Sequence, residues 1–468
     1  MHAHAAAAAG VGSRGFTHPS GEPVIPGFAS SLLQRAQRQN PLPEGALPVA
    51  VGLIVNGLAT FVFLGIASRT LDAASYSALG VFWALMFAVG NGIMQPLEQE
   101  VARAVSARRA AGIGAGPVIQ RAAVIGAGFS IVVAVVVLLL NPLFEGWFDH
   151  DGMLVIAFVI GMVGFCLGHL TRGTLSSHRR FTSYALFFGV DGVARVVLAG
   201  MLALVGVAVA GPFGLIMAIT PFIGVGVALL GQHDLAEPGP EAPWNELTRN
   251  LGWLLMGTVS IALVVQGGTV AVQILAGPDQ QGAAGQFLNG LQIARVPLFL
   301  FQAVLASLLP KLSHLANVGR YDEFLHGLRR LVLAILGLGV VAVIGSAVLG
   351  PTVIDVVFGA DSALTGRDLA LLSGAFILIM ATICLDQALI ALHAHSRMAI
   401  GWLVAFGLFV GVTALGDDLF LRVELGLLAS SVWAFVWMSV CLWRALRHPT
   451  SADEIDLSES LAELAIDT

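Results

Sequence analysis

Charge is scarce in this chain: only 11% of its 468 residues are Asp, Glu, Lys or Arg, against about a quarter in an ordinary soluble domain. With 57% hydrophobic residues and a mean hydropathy of +0.87, that scarcity excludes a soluble globular protein. The short alternating segments of about 10 residues that mark a membrane β-barrel are missing too, which leaves apolar helices. Cysteine is nearly absent. Cys166, Cys384 and Cys441 all lie in apolar runs, so neither a disulfide framework nor a zinc spacing is on offer. No basic domain exists to bind nucleic acid. No Walker A sequence, Gly-x-Ser-x-Gly or zinc-hydrolase signature occurs, so neither ATP hydrolysis nor another enzyme activity is expected, and no cofactor. His393 and His395 lack a third ligand nearby, so no metal is expected either.

What the chain has in abundance is long apolar runs. At roughly 17–25 residues per crossing, twelve spans are predicted, near 46–67, 75–97, 118–140, 153–175, 182–207, 211–231, 250–275, 283–309, 331–349, 369–392, 399–416 and 425–443. Residues 1–45 lack an apolar signal-peptide core and read as a disordered cytoplasmic leader. Residues 447–468 read as an acidic cytoplasmic tail. With the N-terminus inside, 18 of the 23 basic residues fall in inner segments and only Arg69, Arg367 and Arg422 in outer loops. Arg195 and Arg295 lie within spans. This bias predicts a multi-pass protein of the cytoplasmic membrane with both termini cytoplasmic.

The chain also repeats. Gln120-Arg121 opens the third span and Arg330 the ninth, and Pro142 and Pro351 each follow 21 residues after the arginine. Ser177-His178-Arg179 parallels His395-Ser396-Arg397, and Thr70-Leu71-Asp72 parallels Gly277-Pro278-Asp279. Six spans separate the copies, so the halves share one orientation and a binding site is expected where they meet. The expected fold is an all-α membrane protein of about 12 transmembrane helices in two six-helix parallel-repeat lobes around a central cavity. The lobes are 46–231 and 250–446, joined by a Pro- and Glu-containing cytoplasmic linker, 232–249.

Polar residues inside the spans are the candidates for function. Residues 283–311 could cross a bilayer, yet they carry Gln286, Asn289, Gln292, Arg295 and Gln302, with Pro297 set to kink or loosen a turn. Span one has Asn56 and Thr60; span two has Asn91, Gln95, Glu98 and Gln99; span seven has Gln266, Thr269 and Gln273. Spans one, two, seven and eight are equivalent pairs in the repeat, so their polar faces are expected to meet around a cavity. Interhelical packing bonds are the alternative for any one amide. Spans three, six and nine are almost wholly apolar and are expected to face lipid. Asp191 and Arg195, four apart in span five, are spaced for an intrahelical ion pair or for ion coupling. Asp386 in span ten is a second coupling candidate. His169 and Arg172 read as interfacial anchors. Asp149-His150-Asp151 has the spacing of an Asp-x-Asp element of lipid-linked sugar transferases, but its loop is about a dozen residues long. Asp417-Asp418 fares no better.

Ala67-Ser68-Arg69-Thr70-Leu71 through Tyr76-Ser77-Ala78-Leu79-Gly80, Pro96-Leu97 through Arg103, Gly173 through Tyr184, and Leu309-Pro310-Lys311-Leu312-Ser313 carry a family resemblance. With twelve spans in two sextets, the chain resembles the multidrug/oligosaccharidyl-lipid/polysaccharide (MOP) exporter superfamily, nearest its bacterial Wzx-like flippase branch. The resemblance covers about residues 46–446. It implies alternating access around a cavity lined by spans one, two, seven and eight. It also implies a lipid-linked glycan as substrate, membrane lipids as surroundings and polysaccharide biosynthesis enzymes as partners. Arg295 would anchor the substrate diphosphate, with Arg69 and Arg103 at the cavity mouths. Asn56, Asn91, Gln95, Gln266, Gln273, Asn289, Gln292 and Gln302 would bond sugars. A multidrug exporter of the same fold, coupled to H+ or Na+ through Asp191, Arg195 or Asp386, is the alternative. A membrane glycosyltransferase or ligase is a third reading, against which the short outer loops argue. A cationic cavity would favour the flippase, and a cavity dominated by a carboxylate the exporter.

Overall fold

The computed structural model describes residues 45–248, 251–277, 279–280, 282–298, 301, 308, 312, 315–316, 318–359, 363–392 and 394–447. The leader up to residue 44, Gln302, His393 and the tail from residue 448 therefore lie outside the described residues. The helices, in chain order, are α1 Ala46–Thr70, α2 Ala73–Ala110, α3 Gly116–Leu139, α4 Asn141–Trp147, α5 Gly152–Ser177, α6 Phe181–Leu204, α7 Ala210–Ala228, α8 Asn245–Thr248, α9 Leu251–Leu275, α10 Ala283–Ala294, α11 Tyr321–Phe358, α12 Gly366–Ala391, α13 His395–Thr413 and α14 Leu419–Arg447. Eleven are long and apolar enough to cross a membrane among the described residues. They coincide with every predicted span but the eighth, of which α10 is the described beginning.

The pairing of these helices repeats along the chain. In the first half α1 packs on α6, α2 and α3 on α5, α5 on α7, and α6 on α7. In the second half α9 packs on α13, α10 and α11 on α12, α12 on α14, and α13 on α14. Each contact in one set has its counterpart in the other, which is the parallel repeat anticipated from Arg121, Arg330 and the two prolines. Close approach depends on small residues. A Cβ on Gly52 would lie 2.6 Å from the Ala185 carbonyl oxygen where α1 crosses α6.

The repeat has visible exceptions. Pro351 rides within the continuous 38-residue α11, whereas the chain turns at Leu140 and restarts as α4 with Pro142 in its first turn. There Phe144 and Phe148 are drawn inward, and both stack with rings of the first half, at 5.9 Å from Phe158 and from Phe82 respectively. The expectation of lipid-facing spans holds for α3 and α11, whose apolar surfaces are mostly exposed, but not for α7. More than half of α7 is buried, because its glycines admit neighbours: Gly214 faces Leu154 and Gly224 faces Phe187.

Helix α2 is also 38 residues long, about 57 Å at the helical rise, nearly twice the bilayer's apolar thickness. Its surplus runs past the predicted span and holds the segment between the two halves. Buried Arg108 grips both Glu246 carboxylate oxygens at 2.8 and 2.9 Å. It also donates to the carbonyls of Pro240 (2.8 Å), Glu241 (3.2 Å) and Gly114 (3.3 Å). Arg121 lies 4.5 Å from the Trp244 ring centre. The segment is thus strapped to α2 rather than free between the halves.

Candidate functional site

A central cavity lies between the two sets of helices. One part, about 380 Å³, is lined by Asn56, Asn91, Gln95, Glu98, Gln99, His169, Arg172, Tyr184, Asp191 and Arg195, among others. The other, about 460 Å³, is lined by Thr258, Gln266, Asp386, Gln387 and Trp402. The two parts share Leu53, Phe87, Asn91, Gln95, Gln99 and Tyr184, so they form one space. Its lining comes from α1, α2, α5, α6, α7, α9, α12 and α13, at their middles or toward the ends nearest the arginine-rich loops.

The opposite end is clasped shut. At the end of α1, Ser68 donates to the Phe358 carbonyl at 2.7 Å, and Arg69 donates to those of Val357 and Val356, both at 2.5 Å. These are final-turn carbonyls of α11, which lack intrahelical partners and carry the negative end of the helix dipole. Gly65 permits the approach, since a Cβ there would lie 2.8 Å from the Val357 carbonyl oxygen. Beside it, Tyr76 donates to Asn289 at 2.5 Å and the Gly285 amide donates to Ser77 at 2.9 Å. Arg69→Ala removes two bonds, about 1–3 kcal/mol at ordinary net values. It should raise the population open at that end at least several-fold. Electron–electron distances between spin labels at Thr70 and Val353 report this, and an unchanged distribution would refute the clasp.

Within the cavity the charges pair off. Glu98 is a node: it lies 2.8 Å from His169 Nδ1, accepts from Arg172 Nη2 at 2.6 Å and Nε at 3.1 Å, and accepts from the Tyr184 hydroxyl at 3.3 Å. Asn91 Oδ1 sits 3.3 Å from His169 Nε2, and Arg172 lies over the Phe188 ring at 5.0 Å. His169 and Arg172, read as interfacial anchors, are instead buried partners of a carboxylate from another helix. Their separation by three residues on α5 puts them on one face, the one sequence signal available. Asp191 and Arg195 form the ion pair their spacing suggested, and Asn56 donates to Asp191 at 3.0 Å. Asp386 stands apart. Its Oδ2 accepts from Trp402 Nε1 at 2.9 Å, and among the described residues its Oδ1 has no partner and no cation pairs with it.

Of the residues singled out by sequence, the cavity gathers Asn56, Asn91, Gln95, Gln266, Asp191, Arg195 and Asp386. Others go elsewhere. Asn289 is committed to Tyr76 in the clasp. Gln292 is buried with both amide atoms unpartnered, and Gln273 lies near the clasped end of α9. Arg295 interrupts the eighth span as the residue that ends α10, two positions before Pro297. Its side chain is buried behind the lining, donating to Gln266 Oε1 at 2.8 Å and to the Val265 carbonyl, with its guanidinium 5.0 Å from the Phe376 ring centre. Among the described residues no carboxylate pairs with it and its Nε is unpartnered. Glu98 and Gln99, read with Asn91 and Gln95 as the polar stripe of span two, line it as well, and His169, Arg172, Gln387 and Trp402 join them without having been proposed as binding residues.

No family model matches the chain. It is 27% identical over 382 residues to an uncharacterized protein of Mycobacterium tuberculosis, covering 78% of this chain and 84% of that one. It is 26% identical over 407 residues to one of Mycobacterium bovis, covering 83% and 88%. A MATE transporter from Vibrio cholerae superposes with a TM-score of 0.65 at 14% identity, covering 89% of this chain and 98% of that one. Inward- and outward-facing structures of a multidrug resistance MATE transporter of the MOP superfamily give 0.61 and 0.64. They cover 90% and 86% of this chain and 100% and 95% of theirs, at 12% and 14% identity. Similarity to both states speaks to fold rather than conformation, and the chain has the fold of these MATE transporters.

Proposed function

We propose that the chain is an alternating-access transporter of the cytoplasmic membrane that flips a polyprenyl-pyrophosphate-linked oligosaccharide or polysaccharide precursor. The lobes 46–231 and 250–446 rock about the cavity, which in the described state opens to the cytoplasm. The observation that carries this reading is the cavity wall. Its amides, Asn56, Asn91, Gln95, Gln99, Gln266 and Gln387, suit sugar hydroxyls, and Phe87, Tyr184 and Trp402 offer apolar faces to sugar rings. Two arginines face two carboxylates, so most of the charge is internally compensated. That suits the neutral, hydroxyl-rich sugar portion of such a cargo and leaves its diphosphate to Arg295. Arg295 is held on Gln266 until the diphosphate draws it out, exchanging neutral acceptors for an anion that binds it more strongly. Polysaccharide biosynthesis enzymes supply the precursor.

Charge-assisted bonds contribute about 1.5–3 kcal/mol each, so Arg295→Ala should slow flipping at least tenfold. The readout is surface glycan together with accumulated lipid-linked precursor in cells making normal protein levels. Normal glycan and no accumulation would remove Arg295 from the mechanism. Asp386 favours a second reading, because among the described residues the cavity is not cationic and this carboxylate lines it without a paired cation. In a flippase it takes up the coupling H+ or Na+; in a multidrug exporter it meets a cationic substrate. Asp386→Asn abolishing drug resistance while glycan stays normal would establish the exporter instead.

A further inference from the structure

Away from the central cavity, a second concavity of about 360 Å³ lies where α13 begins and α14 ends, lined by Arg397, Trp443, Arg444 and Arg447. Arg397 is the third residue of α13, so the positive end of that helix adds to its charge. Arg444 and Arg447 occupy the last turn of α14. All four side chains are exposed, and none of the three arginines makes an ion pair among the described residues. The frame beneath them is fixed. Trp437 Nε1 donates to the Arg397 backbone carbonyl at 2.9 Å, tying the start of α13 to α14. Trp433 stacks on Trp437 at 5.6 Å. Arg447 lies 3.9 Å from the Trp443 ring centre, which keeps one guanidinium over the concavity.

Three unpaired cations converging in a pocket beside an exposed indole have a definite chemistry. Guanidinium groups bind phosphate oxygens in bidentate fashion. Tryptophan favours the depth of lipid head groups, and basic pockets between helices on the cytoplasmic side select anionic lipids. The bias of arginine toward one side of the membrane places this pocket at the inner leaflet. We propose that Arg397, Arg444 and Arg447 form a binding site for the phosphate head group of an anionic phospholipid, with Trp443 against its glycerol region. The site is separate from the transported cargo and does not depend on the identity of that cargo.

Trp443 supplies the test. The full chain is placed in phosphatidylcholine nanodiscs containing a small fraction of brominated phosphatidylglycerol, and the fluorescence attributable to Trp443 is isolated as the difference from Trp443→Phe. Quenching should saturate at a low mole fraction of the brominated anionic lipid and stay weak when the bromine is on phosphatidylcholine at the same fraction. Excess inorganic phosphate should leave it unchanged. Neutralising all three arginines (R397Q, R444Q and R447Q together) should weaken the preference about a hundredfold, at the usual strength of a basic residue near an anionic surface. Equal quenching by the two lipids overturns the proposal and needs no arginine variant. Displacement by free phosphate also overturns it, showing a soluble anion site. The acidic segment 448–468 follows Arg447 directly, and removing it provides the last arm. Selective quenching gained only on its removal would make the tail the occupant.

Discussion

Glu98→Ala should lower the stability of the detergent-solubilised protein by about 3 kcal/mol, the lower end of the range for breaking a buried ion pair. The wild-type carboxylate accepts from Arg172 and Tyr184 and meets His169. Its loss leaves a guanidinium with 13% of its side-chain surface exposed and without its bonded carboxylate. Because Arg172 lines the central cavity, residual hydration keeps the loss from the upper end. The measurement is thermal unfolding followed by intrinsic fluorescence. A double replacement, Glu98→Gln with Arg172→Met, should recover most of the deficit, since removing both charges costs far less than stranding one. A single variant that melts with the wild type would show that Arg172 finds solvation without Glu98.

The second large effect is expected outside the apolar zone. Arg108→Ala removes the fork that engages Glu246 and three backbone carbonyls, and should cost about 3 kcal/mol or more by the same reasoning. Arg108→Lys keeps the charge but not the planar fork, so it should fall between. Limited proteolysis is the more telling readout. Cleavage within 232–248 should accelerate at least tenfold in Arg108→Ala while cleavage elsewhere does not. Uniform acceleration would mean that the whole fold, and not the strap, has loosened.

Much of the architecture was legible from the chain because bilayer thickness and backbone satisfaction leave little freedom. Run length gave the spans, and Arg121 and Arg330 with their prolines marked the repeat. Where a local pattern had to predict a partner, it fell short. His169 and Arg172 announce a common helix face, but nothing in the order of residues says that Glu98, about seventy positions earlier, stands opposite. Arg295 was recognisable as a cation at mid-membrane. Whether it faced the cavity or leaned on Gln266 depends on the packing of two helices and on the interruption before Pro297. The Pro-rich segment 232–248 has loop composition, and only the length of α2 brings Arg108 far enough to fasten it. Pro142 and Pro351 look alike in sequence, yet the aromatic cluster around Phe144 decides that only the first opens a new helix.

Under the alternating access proposed above, the clasp formed by Ser68, Arg69, Tyr76, Ser77 and their partners also sets an energy requirement for turnover. Its five hydrogen bonds, at about 1 kcal/mol net apiece, would bias the resting equilibrium several thousandfold toward one side. A cargo bound equally well in both states cannot overcome that bias, because a ligand shifts an equilibrium only by its difference in affinity. An elementary charge crossing 100 mV releases about 2.3 kcal/mol, so the descent of about two ions per cycle would match the clasp. Without a gradient, the clasped end should stay shut whether or not cargo is bound.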